Sequence, residues 1–358
     1  MNHAPLLNVG VVGLGKIAQT HHLPNLASLP GFRVSRVCDL SEHVARSVAR
    51  SHGLEDRAAT TDYRTLLDAG LDAVVVSNRD HLPIVRDSCA AGIPVFVEKP
   101  LCWTLTDAHA LREVQERTGT PVVVGYMKRY DAAVERLLAE SADMTTPLWV
   151  RAHNFAGGRH RHERLFPVTK ARPDENPGTG EDDSIAEQIA SAAGTNEDSA
   201  AVYRLIAELA IHHINLVGAF YGPLTATTAT AHRTAVGWCV NIGFKAGPVN
   251  GTFEVLPDFG SAREWDETLT VFHPGQSTEL VFGSPFLWHE PTLIRRRGAT
   301  DSDHVSSETQ VARESAFRRE LAHFRQVVRK ERAPRTPLGE AVADLEFLAD
   351  VMTKLTFL

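Results

Sequence analysis

Residues 7–18 read LNVGVVGLGKIA, and this junction decides the fold of the first part of the chain. The apolar run 7–12 predicts a buried strand, and the residues after it predict the start of a helix. In a G-x-G-x-x-A turn the first glycine allows a sharp bend, the second lets backbone approach a pyrophosphate, and the alanine lets the helix pack close to the strand. We therefore expect the helix N-terminus to hold the phosphates of a dinucleotide. The turn residues expected to bind them are Gly13, Leu14, Gly15, Lys16, Ile17 and Ala18.

A second predicted strand, 32–39, ends in an acid at Asp39. A carboxylate at the end of the second strand accepts the ribose hydroxyls of NAD and repels the extra phosphate of NADP. The pattern therefore favours NAD, with Asp39 and Leu40 beside the ribose. The alternative is that Asp39 is a turn or capping residue before the predicted helix 42–52.

Further strands and helices alternate along the first third of the chain. The predicted strands are 73–77, 94–97 and 121–124, and the predicted helices are 84–91 and 105–118. This alternation is typical of a doubly wound parallel sheet, an α/β fold.

Polar residues follow two of these strands and are expected at the carboxyl edge of the sheet, where ligands of open α/β folds bind. Lys99 follows the strand VFV within the sequence EKP, which makes it a candidate catalytic group. The alternative is a solvated lysine after a strand. The residues expected beside the cofactor at this edge are Ser77, Asn78, His81, Glu98 and Lys99.

The region 200–221 predicts one amphipathic helix, closed by Gly222-Pro223. Glu208, His212 and Asn215 have the spacing i, i+4 and i+7, which places them on one face. A histidine one turn from a carboxylate is oriented and made more basic by it, as a general base requires. The alternative is a structural histidine on an amphipathic helix. The apolar face is predicted at Ile206, Ala210, Ile214 and Val217.

A strand predicted at 148–155 opens the second part of the chain and is followed by a long irregular segment, 156–198, interpreted as a solvated loop or a substrate lid. The pair His160 and His162 lacks a cysteine or carboxylate cluster, so no metal site is expected. Five further strands are predicted at 224–233, 237–245, 251–257, 267–272 and 277–282, followed by helices at 314–330 and 338–355.

Composition excludes several classes of protein. The chain has 358 residues and a formal net charge of −7. Two domains are expected at this length, and the acidic balance argues against a nucleic-acid surface. Neither a membrane-spanning run nor a signal peptide is visible, and the four cysteines lack C-x-x-C spacing. We expect a cytoplasmic protein with reduced cysteines.

Taken together, these segments resemble the Gfo/Idh/MocA oxidoreductase family. The resemblance spans most of the chain, and its specificity lies in the order and spacing of the matching pieces. These are VGLGKIA at 12–18, NRDH at 78–81, EKPL at 98–101, VGYMKRY at 124–130 and ELAIHHIN at 208–215.

The resemblance implies an N-terminal Rossmann domain, a C-terminal α/β domain with a large, mostly antiparallel open sheet, and a homo-oligomer, dimer or tetramer. The expected boundaries are 1–128 for the NAD-binding domain, 129–337 for the substrate domain and 338–358 for a helix returning to the first domain. The implied cofactor is NAD.

The implied activity is hydride transfer between NAD and a secondary alcohol of a sugar, nucleotide sugar or (amino)cyclitol. Lys99 matches the catalytic lysine of the family and His212 its catalytic histidine. Glu208 stands where the family usually has aspartate, and Asn215 where it often has aspartate. The residues expected to bind substrate are Lys99, Lys128, Asn154, His212 and His213. Two alternatives are an NAD-retaining glycosidase that works by oxidation and elimination, and a non-catalytic NAD-binding regulator.

Overall fold

The computed structural model describes residues 5–141, 146–156, 165–175, 179–257, 265–299 and 303–358. The pair His160 and His162 lies outside these residues. The chain divides into two compact units. Unit 1 comprises residues 1–126, 167–188 and 317–342, and unit 2 comprises 127–166, 189–316 and 343–358. These units differ from the expected contiguous boundaries, because two later segments belong with the N-terminal part of the chain.

The first unit contains a parallel sheet, as the glycine turn and the alternating pattern predicted. Within the described residues it has six strands in the order β3-β2-β1-β4-β5-β6. The order reverses between β1 and β4, and ligands bind outside the carboxyl ends of strands at such a point. The strands are β1 Leu7–Val12, β2 Phe32–Cys38, β3 Ala59–Thr60, β4 Ala73–Val76, β5 Val95–Val97 and β6 Val122–Val124.

The helices begin and end at local signals in the sequence. The described α-helices are α1 Leu23–Ser28, α2 Glu42–Ser51, α3 Tyr63–Leu67, α4 Leu82–Ala90, α5 Leu105–Thr118, α6 Ala132–Ser141, α7 Thr179–Ala193, α8 Glu197–Leu205, α9 Ile211–Tyr221, α10 Ala316–Val328 and α11 Leu338–Lys354. Ser41 caps α2 by accepting from Val44 N, and Thr104 caps α5 by accepting from Asp107 N. Apolar side chains of α1, α2 and α10 pack into the core beneath the sheet.

The second unit contains a large mixed sheet, as expected. Its nine strands within the described ranges have the order β14-β13-β12-β11-β7-β10-β9-β8-β15. Neighbouring strands are antiparallel except for the pairs β7–β10 and β8–β15. The strands are β7 Trp149–Phe155, β8 Thr225–Thr234, β9 Gly237–Ala246, β10 Val249–Leu256, β11 Asp266–His273, β12 Gln276–Val281, β13 Leu293–Ala299, β14 His304–Gln310 and β15 Leu355–Phe357.

Two sequence-based expectations about elements are wrong. The segment 156–198 is not one irregular loop, because α7 and the start of α8 lie within it. The helix predicted over 200–221 is interrupted by a π-helical turn, Ile206–Ala210. Its predicted apolar face is buried, as expected. Among the described helices, none combines the length and apolar character needed to cross a membrane.

Candidate functional site

The glycine turn lies at the switch point of the sheet and has the geometry that the sequence predicted. Gly13 has φ +82°, and a Cβ at this position would lie only 2.1 Å from Asn78 N. Only glycine is compatible with both conditions. A Cβ on Gly15, in contrast, would meet no atom within 4 Å. Ala18 is fully buried. The turn therefore leaves open space in front of Gly15, where backbone N–H groups can receive a phosphate.

Asp39 follows β2 and is held by the turn itself. Its Oδ2 accepts a hydrogen bond from Leu14 N at 2.9 Å, and its Oδ1 accepts one from Ser41 N at 2.9 Å. Burial, together with the nearby carboxylates of Glu181 and Glu175, raises the pKa of Asp39 despite these two bonds. The predicted ribose acceptor is thus fixed in position beside the glycine turn.

A cavity of about 430 Å³ opens beside the turn and Asp39. The predicted cofactor residues on its wall are Gly13, Gly15, Asp39, Leu40, Ser77 and Asn78. Asn78 Oδ1 is buried and has no hydrogen-bond partner among the described residues. A pocket with a glycine cradle, a fixed carboxylate and an unsatisfied amide oxygen has the groups that bind a dinucleotide.

Not every predicted cofactor residue lines this cavity. Leu14 acts through its backbone bond to Asp39, and Ala18 packs in the core. His81 is buried, with Nδ1 2.8 Å from Pro100 O, and burial lowers its pKa. The other predicted residues that are not among those lining it are Lys16, Ile17, Glu98 and Lys99.

The segment 167–188 completes the wall of the cavity, and sequence reasoning missed it. Glu181 Oε1 accepts from Asn78 Nδ2 at 2.8 Å, from Arg79 N at 2.9 Å and from Asp80 N at 2.7 Å. Ser184 Oγ donates to Asp80 Oδ2 at 3.0 Å. The available signal was the helical spacing of Ile185 and Ile189, both buried, after an acidic first turn.

The Glu98-Lys99-Pro100 segment follows β5, as predicted. The Lys99–Pro100 peptide bond is cis. Glu98 Oε2 accepts from Lys99 N at 3.3 Å, and Glu98 Oε1 lies 2.8 Å from His22 Nε2. Lys99 is partly exposed at the carboxyl edge of the sheet. Burial acts to raise the pKa of Glu98, but the bond to His22 and the charge of Lys99 outweigh it and lower this pKa.

Behind this segment lies a cluster that the sequence did not reveal. One ligand atom from each of His22, Glu98 and Glu320 lies within 4.8 Å of the other two. Glu320 is fully buried, and neither carboxylate oxygen has a hydrogen-bond partner among the described residues. Burial, and then the charge of Glu98, raise the pKa of Glu320 well above its usual range. Such a cluster can share a proton between two carboxylates or hold a cation.

In the second unit, Glu267 brings together three residues that were predicted to bind substrate. Lys128 Nζ donates to Glu267 Oε2 at 2.8 Å, and Asn154 Nδ2 donates to Oε1 at 2.7 Å. His213 Nε2 lies 3.7 Å from Oε1, and Trp265 Nε1 donates to Oε2 at 2.9 Å. Sequence reasoning missed Glu267, which is 1% exposed and sits at the centre of a buried polar network.

The pKa values of Glu267 and His213 are both shifted by burial and by their neighbours. Burial acts to raise the pKa of Glu267, but the charge of Lys128 and the hydrogen bonds from Lys128 and Trp265 lower this pKa. Burial lowers the pKa of His213 to about 3, so this imidazole is neutral at pH 7. Asn154 Oδ1 is buried and lacks a hydrogen-bond partner among the described residues. The cluster thus offers one anion, one cation and a free amide oxygen.

The π-helical turn Ile206–Ala210 ends two residues before His212. Single π turns within helices are frequent at functional sites. Glu208 is 43% exposed and lies 3.8 Å from Arg204, four residues earlier. Asn215 is buried, where it accepts from Arg129 Nη1 at 3.1 Å and donates to Asp344 at 2.9 Å. Asn215 is therefore a buried, hydrogen-bonded residue, whereas Glu208 is partly exposed to solvent.

Curated relatives resemble the N-terminal part of the chain. Inositol 2-dehydrogenase of Paracoccus denitrificans (strain Pd 1222) is 34% identical over 163 residues, which are 44% of this chain and 47% of the relative. The scyllo-inositol 2-dehydrogenase (NAD(+)) of Bacillus subtilis (strain 168) is 34% identical over 125 residues, 34% of this chain and 36% of the relative. The chain thus spans half or less of the length of these relatives.

Solved structures resemble the whole chain in fold. A 3-ketoreductase from Actinomadura kijaniata, in complex with NADP and TDP-benzene, superposes with a TM-score of 0.74 at 17% identity and 99% coverage of both chains. The UDP-N-acetylglucosamine 3-dehydrogenase from Acidithiobacillus ferrooxidans gives a TM-score of 0.71 at 17% identity and 98% coverage of both. At these identities the likeness concerns the fold.

The family comparison covers the unit that carries the glycine turn. Residues 7–126 match GFO_IDH_MocA, described as an oxidoreductase family with an NAD-binding Rossmann fold. The match includes the turn, Asp39 and the Glu98-Lys99-Pro100 segment. Residues 7–126 of this chain are therefore similar to the NAD-binding Rossmann domain of the Gfo/Idh/MocA oxidoreductase family.

Proposed function

We propose that this protein is an NAD-dependent dehydrogenase that oxidises a secondary alcohol of a polyhydroxylated ring: a sugar, nucleotide sugar or (amino)cyclitol. The observation that carries the proposal is in unit 1. Lys99 follows β5 at the carboxyl edge of the sheet whose glycine turn and Asp39 line the dinucleotide cavity. Inositol dehydrogenases and nucleotide-sugar oxidoreductases among the relatives and structural neighbours support the substrate class.

The roles of Lys99 and His212 are carried over from the family resemblance. The nicotinamide ring, when bound, supplies the hydride acceptor. His212 accepts the proton of the substrate hydroxyl as general base, and Glu208 orients it. The Lys99 ammonium donates a hydrogen bond to the same oxygen and stabilises its developing negative charge.

The Glu267 network supports a site for a polyhydroxylated ligand. Asn154 Oδ1 is a buried acceptor that lacks a partner among the described residues, and a buried polar atom usually has one. A ring hydroxyl supplies the missing donor. We therefore propose that Asn154, Lys128 and His213 contact substrate hydroxyls, with Glu267 holding all three in place.

The experiment is steady-state NAD reduction over a panel of inositols, aminocyclitols, sugars and nucleotide sugars. On the substrate that responds, Lys99→Ala and His212→Asn are expected to lower kcat by about 10²–10³-fold. NAD affinity, measured separately by calorimetry, is expected to stay close to wild type for His212→Asn. Lys245→Ala and His304→Asn, at exposed positions on β9 and β14, are the matched controls.

Wild-type turnover in both Lys99→Ala and His212→Asn would overturn the mechanism. Release of an aglycone without net NADH would instead support the NAD-retaining glycosidase. The cytoplasmic location and the homo-oligomeric state stay predictions.

A further inference from the structure

The carboxylate of Glu175, which is distant in sequence, accepts hydrogen bonds at the N-terminus of α2. Glu175 Oε2 accepts a hydrogen bond from Ser41 Oγ at 2.5 Å, and Glu175 Oε1 accepts one from His43 N at 2.9 Å. Arg172 N also donates to Oε2, at 3.0 Å. These bonds, led by the one from Ser41, lower the pKa of Glu175 to about 2. An anion therefore occupies donors that would otherwise face solvent or a ligand.

The position of these donors relates them to the ribose. Ser41 is two residues after Asp39, and Ser41 N donates to Asp39 Oδ1 at 2.9 Å. In dinucleotide-binding folds the acid after the second strand binds the ribose hydroxyls, and groups nearby accommodate the 2′-phosphate of NADP. Ser41 Oγ and His43 N thus belong to the segment that directly follows the predicted ribose-binding acid.

The surroundings of Glu175 would also suit a phosphate. A cavity of about 240 Å³ is lined by His43, Glu175 and three arginines, namely Arg46, Arg50 and Arg172. Arginine and helix N-terminal N–H groups are the usual partners of phosphate oxygens. Two of these arginines already pair with carboxylates, Arg46 with Glu42 at 2.7 Å and Arg50 with Asp56 at 2.6 Å. Glu175 therefore occupies helix N-terminal donors beside a cluster of arginines whose charge is partly compensated.

We propose that Glu175 is a determinant of cofactor specificity, which excludes NADP by occupying the donors that the 2′-phosphate would use. This inference rests on dinucleotide binding by unit 1 and goes beyond the role given to Asp39. A phosphate arriving here would either meet the Glu175 carboxylate or displace it from Ser41 and His43. NAD has a hydroxyl at this position and requires neither change.

The contribution of Glu175 is distinct from that of Asp39. Both oxygens of Asp39 accept hydrogen bonds from the backbone, and Asp39 lines the cofactor cavity. Glu175 instead accepts from the Ser41 hydroxyl and from His43 N in the first turn of α2. Removing Glu175 therefore frees donors for a phosphate, whereas removing Asp39 takes away the acceptor for the ribose hydroxyls.

The test measures binding of NAD and NADP to the full chain by isothermal titration calorimetry, without substrate. Glu175→Ala is expected to raise NADP affinity at least about tenfold and to change NAD affinity less than about threefold. Glu175→Gln, which keeps the size of the side chain and removes its charge, is expected to raise NADP affinity by a smaller factor. The matched control is Glu42→Gln, because Glu42 lines the same cavity but pairs with Arg46 at 2.7 Å.

NADP affinity within about twofold of wild type in both Glu175 variants would overturn the proposal. An equal rise in Glu42→Gln would also overturn it, since general charge would then explain the effect. Thermal unfolding without nucleotide checks that each variant is folded. Failure of the protein to oxidise any substrate would refute the proposed activity and leave this binding test unaffected.

Discussion

Lys128 and Glu267 form a buried ion pair in the second unit, with Nζ and Oε2 2.8 Å apart and side chains 4% and 1% exposed. Lys128 Nζ also lies 3.9 Å from the centroid of the Phe282 ring. A buried pair of this kind is stabilising only as long as both partners and their hydrogen bonds are present. The pair therefore couples the candidate substrate site to the stability of the unit.

We predict that Lys128→Met or Glu267→Gln alone lowers the free energy of unfolding by about 3–5 kcal/mol, because each leaves a buried charge without its partner. The double variant is expected to lose less than the sum of the two. Urea denaturation of the four proteins measures the coupling.

The matched control is the pair Arg151–Glu254 on the same sheet, where Arg151 is 48% exposed. Solvent screens this pair, so its double-mutant cycle is expected to give a coupling of at most about 1 kcal/mol. Strict additivity in the Lys128–Glu267 cycle would contradict the prediction.

Local sequence patterns were sufficient to predict the fold of the first unit. The glycine turn, Asp39 and the strand before Lys99 are each defined by a few neighbouring residues, and a parallel sheet brings the ends of its strands to one edge. β1 begins and ends as predicted, and α5 does so as well. The sequence could therefore predict the fold of this unit and the six residues Gly13, Gly15, Asp39, Leu40, Ser77 and Asn78 of the cavity wall, but not the part contributed by segment 167–188.

Glu267 could not be found in this way, because its role depends on strand register. In the pairing of β7 with β11, Glu267 is the direct partner of Asn154, 113 residues earlier in the chain. The sequence shows only an acid at the start of a strand. Its burial on the inner face follows from the pairing and not from any local pattern.

The strands β13 and β14 were missed for another reason. Their sequences, LIRRRGA and HVSSETQ, are polar and lack a clear apolar alternation. They lie at one end of the sheet, where charged residues are common because they discourage pairing with other chains. Backbone pairing of β13 with β12, and of β14 with β13, specifies these strands, and composition does not.

Substitutions of the two glycines of the turn are predicted to have different effects, one on NAD affinity and the other on stability. Gly15→Val adds a side chain where no atom lies within 4 Å, so the melting temperature should stay near that of wild type. The new side chain enters the cavity, and NAD affinity should fall by about tenfold or more, since the backbone can no longer approach the pyrophosphate. Calorimetry with NAD and thermal unfolding without it measure the two effects.

Gly13→Val is the comparison, because its Cβ would lie 2.1 Å from Asn78 N and φ is +82°. This variant should lose stability by several kcal/mol or remain unfolded. Unchanged NAD affinity in Gly15→Val would refute the assignment of the turn as the phosphate site.

The buried carboxyl group of Glu320 is predicted to make the stability of the protein depend on pH. Its pKa is raised well above the unfolded value by burial and by Glu98, so its contribution to stability is complete below the unfolded pKa, about 4.3, and is lost as the pH rises toward the folded pKa. Glu320→Gln removes the titrating proton and keeps the shape. As the pH rises above the unfolded pKa of about 4.3, the melting temperature of the wild type should therefore fall more steeply than that of Glu320→Gln, whereas the exposed control Glu331→Gln should follow the wild type. Equal slopes in wild type and Glu320→Gln would contradict the raised pKa.

A rise in melting temperature with Zn²⁺ or Mn²⁺ that Glu320→Gln abolishes would instead place a cation among His22, Glu98 and Glu320, against the expectation that no metal binds.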